Sequence, residues 1–173
     1  MSLSRTGVTH AGQAHLKASS SLEVLDLEGM RLDDRCYDEV AGMTGLRVLH
    51  LGGSTVTTAN LKTLGARLRL RTLGVNWVVL GDDGLGVVAD FAGLEELDAS
   101  GAKLTAGGVR QLRRAGGLRV LAVNRVPIGP EVVRALGELT QVRRLYAQET
   151  DRGGDDAVGR ELRRLLPQCE VTR

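Results

Sequence analysis

The chain has 173 residues, of which 42% are hydrophobic and 25% charged, with a net charge of +2. That length suits one domain, and that balance suits a folded soluble chain rather than a disordered tail. Apolar runs such as Trp77–Leu80 are too short to span a bilayer, the start Met1–Arg5 has no apolar signal-peptide core, and the charge is too near zero for a nucleic-acid face, so no membrane and no nucleic acid are expected as partners.

In chain order, residues 7–16 read as half of a repeating unit, because Gly7, Val8, Thr9 and Leu16 match the run from Val56 and Thr57 to Leu64. A helix there is expected to cap the first strand's core. The pattern Leu-x-x-Leu-x-Leu begins at Leu22, Leu25 and Leu27 and returns at Leu46, Leu49 and Leu51. It continues as Leu70, Leu73, Val75, then Leu94, Leu97, Ala99, then Leu118, Leu121, Val123, then Val142, Leu145, Ala147. A seventh copy reads as Leu166, Cys169, Val171, each start lying 24 residues after the last. A fixed period of this length is the signature of a stacked repeat. Strands are expected near residues 23–27, 47–51, 71–75, 95–99, 119–123, 143–147 and 167–171.

Each unit has a second half. Its position 12 holds Asp33, Thr57, Gly81, Thr105, Gly129 and Gly153, all suited to capping a helix N-terminus. After the cap, apolar residues recur at helical spacing: Tyr37, Val40, Met43; Leu61, Leu64; Leu85, Val88, Phe91; Val109, Leu112, Ala115; Val133, Leu136, Leu139. In the sixth unit that stripe shifts to Val158, Leu162 and Leu165. One strand–turn–helix unit cannot bury its own apolar row, whereas stacked units bury it between neighbours. Helices are wider than strands, so the expected α/β solenoid curves with its parallel sheet on the concave face. The expected organisation is one domain over 1–173: a half-repeat cap at 1–21, six 24-residue repeats at 22–165, and a terminal strand at 166–173. That strand is expected to lack a covering helix, so the chain is expected to be a monomer or a weak homo-oligomer through this C-terminal edge, which Pro167 and Glu170 blunt.

The runs Leu22–Gly29 and Leu46–Gly53, followed by Val56-Thr57 and by Leu104-Thr105-Ala106-Gly107, resemble the leucine-rich repeat family. The helix start is similar to the helix-rich subtypes, ribonuclease-inhibitor-like or bacterial. The resemblance implies a curved right-handed β-α superhelix and a protein-interaction module. The family often has Asn at repeat position 9. Here that position holds Met30, Ser54, Val78, Ala102, Val126 and Thr150, with Ser54 and Thr150 as local substitutes.

No catalytic constellation is visible. His10, His15 and His50 have no metalloprotease spacing, and the glycine pairs lack the Lys-Ser/Thr of a phosphate loop. No metal and no cofactor are expected. Cys36 and Cys169 sit six strand spacings apart, on the order of 29 Å, too far for a disulfide. Cys169 is expected in the core as a small hydrophobe. The chain therefore reads as a non-enzyme. The alternatives are a regulator of a partner enzyme, such as a GTPase-activating protein, or a substrate-recognition subunit of a larger complex. With 20 arginines against three lysines, and abundant Gly, Ala and Val, the composition points to a GC-rich bacterial genome, and the location is expected to be cytoplasmic.

Strand side chains alternate, so positions 3 and 5 face away from the core. The candidate partner-binding residues there are Val24, Asp26, Val48, His50, Thr72, Glu96, Asp98, Val120, Arg144 and Tyr146. They would take an unidentified protein partner. Position 2 carries Arg47, Arg71, Arg119 and Arg143, a basic stripe broken by Glu23 and Glu95. Trp77, the single tryptophan, replaces the glycine of position 8 and reads as rim packing or a partner anchor.

Overall fold

The computed structural model describes residues 22–150 and 157–172. Strands and helices alternate along them: β1 (Val24–Asp26), α1 (Asp34–Ala41), β2 (Val48–His50), α2 (Thr58–Arg67), β3 (Thr72–Gly74), α3 (Asp82–Ala89) and β4 (Glu96–Asp98). They continue with α4 (Ala106–Gln111, extended by a 3-10 turn at Leu112–Arg114), β5 (Val120–Ala122), α5 (Pro130–Gly137), β6 (Arg144–Tyr146), α6 (Ala157–Leu165) and β7 (Glu170–Thr172). All seven strands form one parallel sheet in sequence order. The half-repeat expected at 1–21 and the Gly153 cap lie outside the described residues.

Leu25, Leu49, Leu73, Leu97 and Leu121 pair in register, strand to strand, and each is fully buried. The helix stripes close the core from the other side: Tyr37, Val40, Leu61, Leu64, Leu85, Val88, Val109, Leu112, Val133 and Leu136 are all buried. The short helices start where their caps dictate. Asp33, Thr57 and Thr105 accept backbone N–H bonds from Cys36, Asn60 and Gly108. Gly81 and Gly129 start helices without a side-chain cap, and Pro130 occupies the first turn after Gly129.

Neighbouring strands share one bonding device. The carbonyl at repeat position 2 accepts two N–H groups of the next strand: Glu23 from Arg47 and Val48, Arg47 from Arg71 and Thr72, Arg71 from Glu95 and Glu96. Glu95 and Arg119 repeat it with the following pairs. Five junctions keep this 24-residue offset, but the sixth does not: Arg144 pairs with Glu170 and Leu145 with Val171. The last strand thus starts later than the expected 167–171, after a turn in which Cys169 N–H donates to Leu166 O at 3.0 Å. Cys169 consequently leaves the core row and is half-buried, while Val171 takes the inward place.

Position 9 builds no amide ladder. Met30, Val78, Ala102 and Val126 are buried there, and Thr150 Oγ1 donates to Ala147 O at 3.0 Å. Ser54 Oγ instead lies 3.5 Å from the Tyr37 hydroxyl.

Candidate partner-binding face

The strands place the candidate residues in two parallel rows. Val24, Val48, Thr72, Glu96, Val120 and Arg144 are register partners in one, and Asp26, His50, Gly74, Asp98, Ala122 and Tyr146 in the other. All ten sequence-predicted residues therefore share one face, opposite the leucine row. Val24, Glu96 and Arg144 are exposed, and the other seven are half-buried.

Several of these side chains also serve the fold. Asp26 Oδ1 accepts from Glu28 N–H at 3.0 Å, and Asp98 Oδ1 from Ser100 N–H at 2.9 Å. Each carboxylate thus ties down the backbone where its strand ends. His50 leans over Gly74, where any Cβ would come within 2.7 Å of its Nδ1. At the far end Arg144 pairs with Glu170 at 3.4 Å. The Tyr146 phenol and the Glu170 carboxylate hold that guanidinium above its usual range.

Position 7 carries a side-chain ladder that the sequence reading missed. Ser100 Oγ accepts from Asn124 N–H at 3.2 Å, and Asn124 Oδ1 from Gln148 N–H at 2.9 Å. Asn76 breaks the series because Asp98 already occupies the Ser100 N–H. Its carboxamide turns back into the space left by Gly52, and its buried Oδ1 has no hydrogen-bond partner among the described residues.

Three of the four position-2 arginines are turned onto backbone carbonyls. Arg47 donates to Thr44 O and Leu46 O, Arg119 to Gly116 O, Leu118 O and Gln141 O, and Arg143 to Thr140 O and Val142 O. They cap carbonyls of the turns that lead into their own strands, and Arg119 also reaches the turn before the next one.

On the helical side, a cleft of about 480 Å³ is lined by Thr58, Lys62, Asp82, Asp83, Gly86, Val87, Asp90, Gln111 and Arg114. Arg114 spans it, pairing with Asp90 at 3.1 Å and donating to Gly86 O at 2.8 Å. No helix among the described residues is long and apolar enough to cross a membrane.

No family model and no curated protein matches the chain. Solved structures do. Internalin C2 of Listeria monocytogenes superposes with a TM-score of 0.63 at 18% identity, over 98% of this chain and 68% of its own. TLR13, solved as a complex with ssRNA13, superposes with a TM-score of 0.57 at 17% identity, over 85% of this chain. This chain spans only 25% of the TLR13 chain. The fold is a leucine-rich repeat solenoid. In this leucine-rich repeat chain the two outward rows lie on the sheet side, and the helices form the opposite surface.

Proposed function

We propose that this leucine-rich repeat chain is a non-enzymatic interaction module that seats a protein partner on its concave sheet. The observation that carries the reading is the row Val24, Val48, Thr72 and Val120, which lies in strand register on the face of the sheet opposite the leucine row. With Arg144 and Tyr146 it spans five strand spacings, ~24 Å. A standard interface needs ~800 Å² per partner, which a sheet of that span supplies together with its rim loops. Aromatic and arginine side chains are the usual energetic centres of such contacts.

The proposal extends to a helix-rich repeat subtype, supported by a helix of six to ten residues in each described unit. Two free thiols and no disulfide suit a reducing cytoplasmic compartment, and the arginine-rich composition suits a bacterial source. Among the described residues β7 pairs with β6 alone, and we propose weak self-association through its other side.

Co-purification from the native host identifies the partner. Tyr146→Ala and Val48→Asp then weaken its binding, while Arg113→Ala on the helical surface leaves it unchanged. Loss of binding on Arg113→Ala with none from the sheet variants transfers the function to the helices. A strictly monomeric light-scattering profile at high concentration removes the self-association edge.

A further inference from the structure

We infer that Trp77 and the Asp98 carboxylate beside it form a seat for an arginine side chain presented by the protein partner; this rests on the concave-face reading. Repeat position 8 is left-handed in all six described units: Gly29, Gly53, Trp77, Gly101, Arg125 and Glu149 have φ between 54° and 71°. Glycine serves at three of them. Arg125 and Glu149 are tied to each other by an ion pair. Trp77 has no such tie and is held in this conformation with 55% of its surface exposed. Its six-membered ring lies against the Gly101 backbone, in space that a Cβ on Gly101 would occupy. Two residues on, Val79 is 83% exposed, so the rim loop is apolar on its outside.

The charge beside this aromatic is negative. Trp77 N–H donates to Ser100 O and Ser100 N–H donates to Asp98 Oδ1, so both residues are anchored on Ser100, one residue before the glycine beneath the indole. Glu96 is exposed on the same face of β4. Among the described residues no ion pair neutralises either carboxylate, whereas Arg144 and Arg125 are each matched to a glutamate. Positions 3, 5 and 7 of the first five described units hold Asp26, Glu28, Glu96 and Asp98 and no lysine or arginine. The one cation of the β4–α4 loop, Lys103, follows the buried Ala102 toward the helix.

An aromatic face beside an uncompensated carboxylate is complementary to guanidinium. The planar group stacks on the indole and forks two N–H donors onto the carboxylate. A nucleic-acid phosphate meets repulsion at the same place.

Trp77 is the only tryptophan, so its emission reports on this site alone. The full chain is titrated with a capped pentapeptide of alternating glycine and arginine, with its glutamate counterpart, and with a single-stranded RNA oligonucleotide. The expected result is a saturable emission change with the arginine peptide only. Asp98→Asn keeps the bond to Ser100 and weakens that response about three- to fivefold, the worth of one partly exposed charge pair. Asp83→Asn on the helical side changes nothing. Trp77→Gly, followed by calorimetry, abolishes peptide binding in a chain that stays folded because glycine fits the backbone there. No response to the arginine peptide, an equal response to the glutamate peptide or to RNA, or a response unmoved by Asp98→Asn overturns the inference. None of these outcomes touches the wider concave-face reading, which the Val48 and Tyr146 variants decide.

Discussion

Arg125 and Glu149, both in left-handed backbone, meet across one repeat through a 3.3 Å ion pair between Arg125 Nε and Glu149 Oε2. An L side chain in this conformation costs roughly 1–2 kcal/mol, and an exposed ion pair returns only about 0.2–1 kcal/mol. Relief of strain therefore outweighs the lost pair. Arg125→Gly and Glu149→Gly are each expected to leave stability unchanged or raise it by up to about 1 kcal/mol, and Trp77→Gly to behave likewise. Denaturant midpoints check this, and a loss above ~1 kcal/mol for any of the three contradicts it.

Leu97 has no exposed surface and lies between Leu73 and Leu121 in the sheet. Its register neighbours are themselves fixed by the next repeats, so a cavity there cannot collapse. Leu97→Ala is expected to cost roughly 2–5 kcal/mol. Glu96→Ala, one residue earlier and facing outward, is expected to change stability by less than ~0.5 kcal/mol. Equal unfolding midpoints for the two variants would refute the assigned faces.

The two thiols should behave differently. Cys36 is buried, and burial pushes its thiol from 9.0 to about 11. The folded state thus holds that proton more tightly than the unfolded state. Its contribution is complete below pH 9 and is lost as pH rises toward about 11, on the order of 1–2 kcal/mol. Burial raises the neighbouring Tyr37 hydroxyl in the same direction. The fall in unfolding midpoint over that range should be shallower in Cys36→Ala. A thiol reagent should label Cys169 in the native chain and Cys36 only on unfolding; the reverse order contradicts the burial.

Helix starts in adjoining repeats are latched together. Thr105 caps α4 by accepting from Gly108 N–H at 3.1 Å, and its hydroxyl donates to Asp82 Oδ1 at 2.6 Å in the repeat before. Thr105→Ala removes both bonds and is expected to destabilise by ~1–2 kcal/mol, with Thr105→Ser retaining most of that. Thermal or denaturant unfolding of the three chains gives the comparison, and an unchanged Thr105→Ala midpoint rejects the latch.

What could be read from the residues was whatever the period repeats. The inward rows, the helix stripes and the caps Asp33, Thr57, Gly81, Thr105 and Gly129 recur at one spacing, so each copy supports the next. The outward face followed from strand alternation alone. Features that depend on one pair of neighbours were not visible. The Thr57–Asn60 capping box, extended by Asn60 Nδ2 donating to Asp34 Oδ1 at 2.9 Å, had a local signal in its three-residue spacing that went unused. The reversal of Asn76 had none, because it depends on Asp98 taking a backbone N–H in the next repeat. The position-2 arginines read as a surface stripe because periodicity gives direction, not reach: the long side chains of Arg47, Arg119 and Arg143 fold back to carbonyls up to three residues behind. The displaced last strand escaped notice since Leu166, Cys169 and Val171 fit the period by residue type while the hydrogen bonds choose another register.

The shared carbonyl at position 2 makes every junction from β1 to β6 interchangeable in its bonding. Cutting between two such strands and splicing in one more 24-residue unit would present the same acceptor below and the same two donors above. The length of this molecule is thus an adjustable quantity, and a gene carrying it can grow or shrink by whole units while every strand keeps the same pattern of bonding to whatever neighbour it then has. Only the β6–β7 junction, with its different offset, falls outside that interchange.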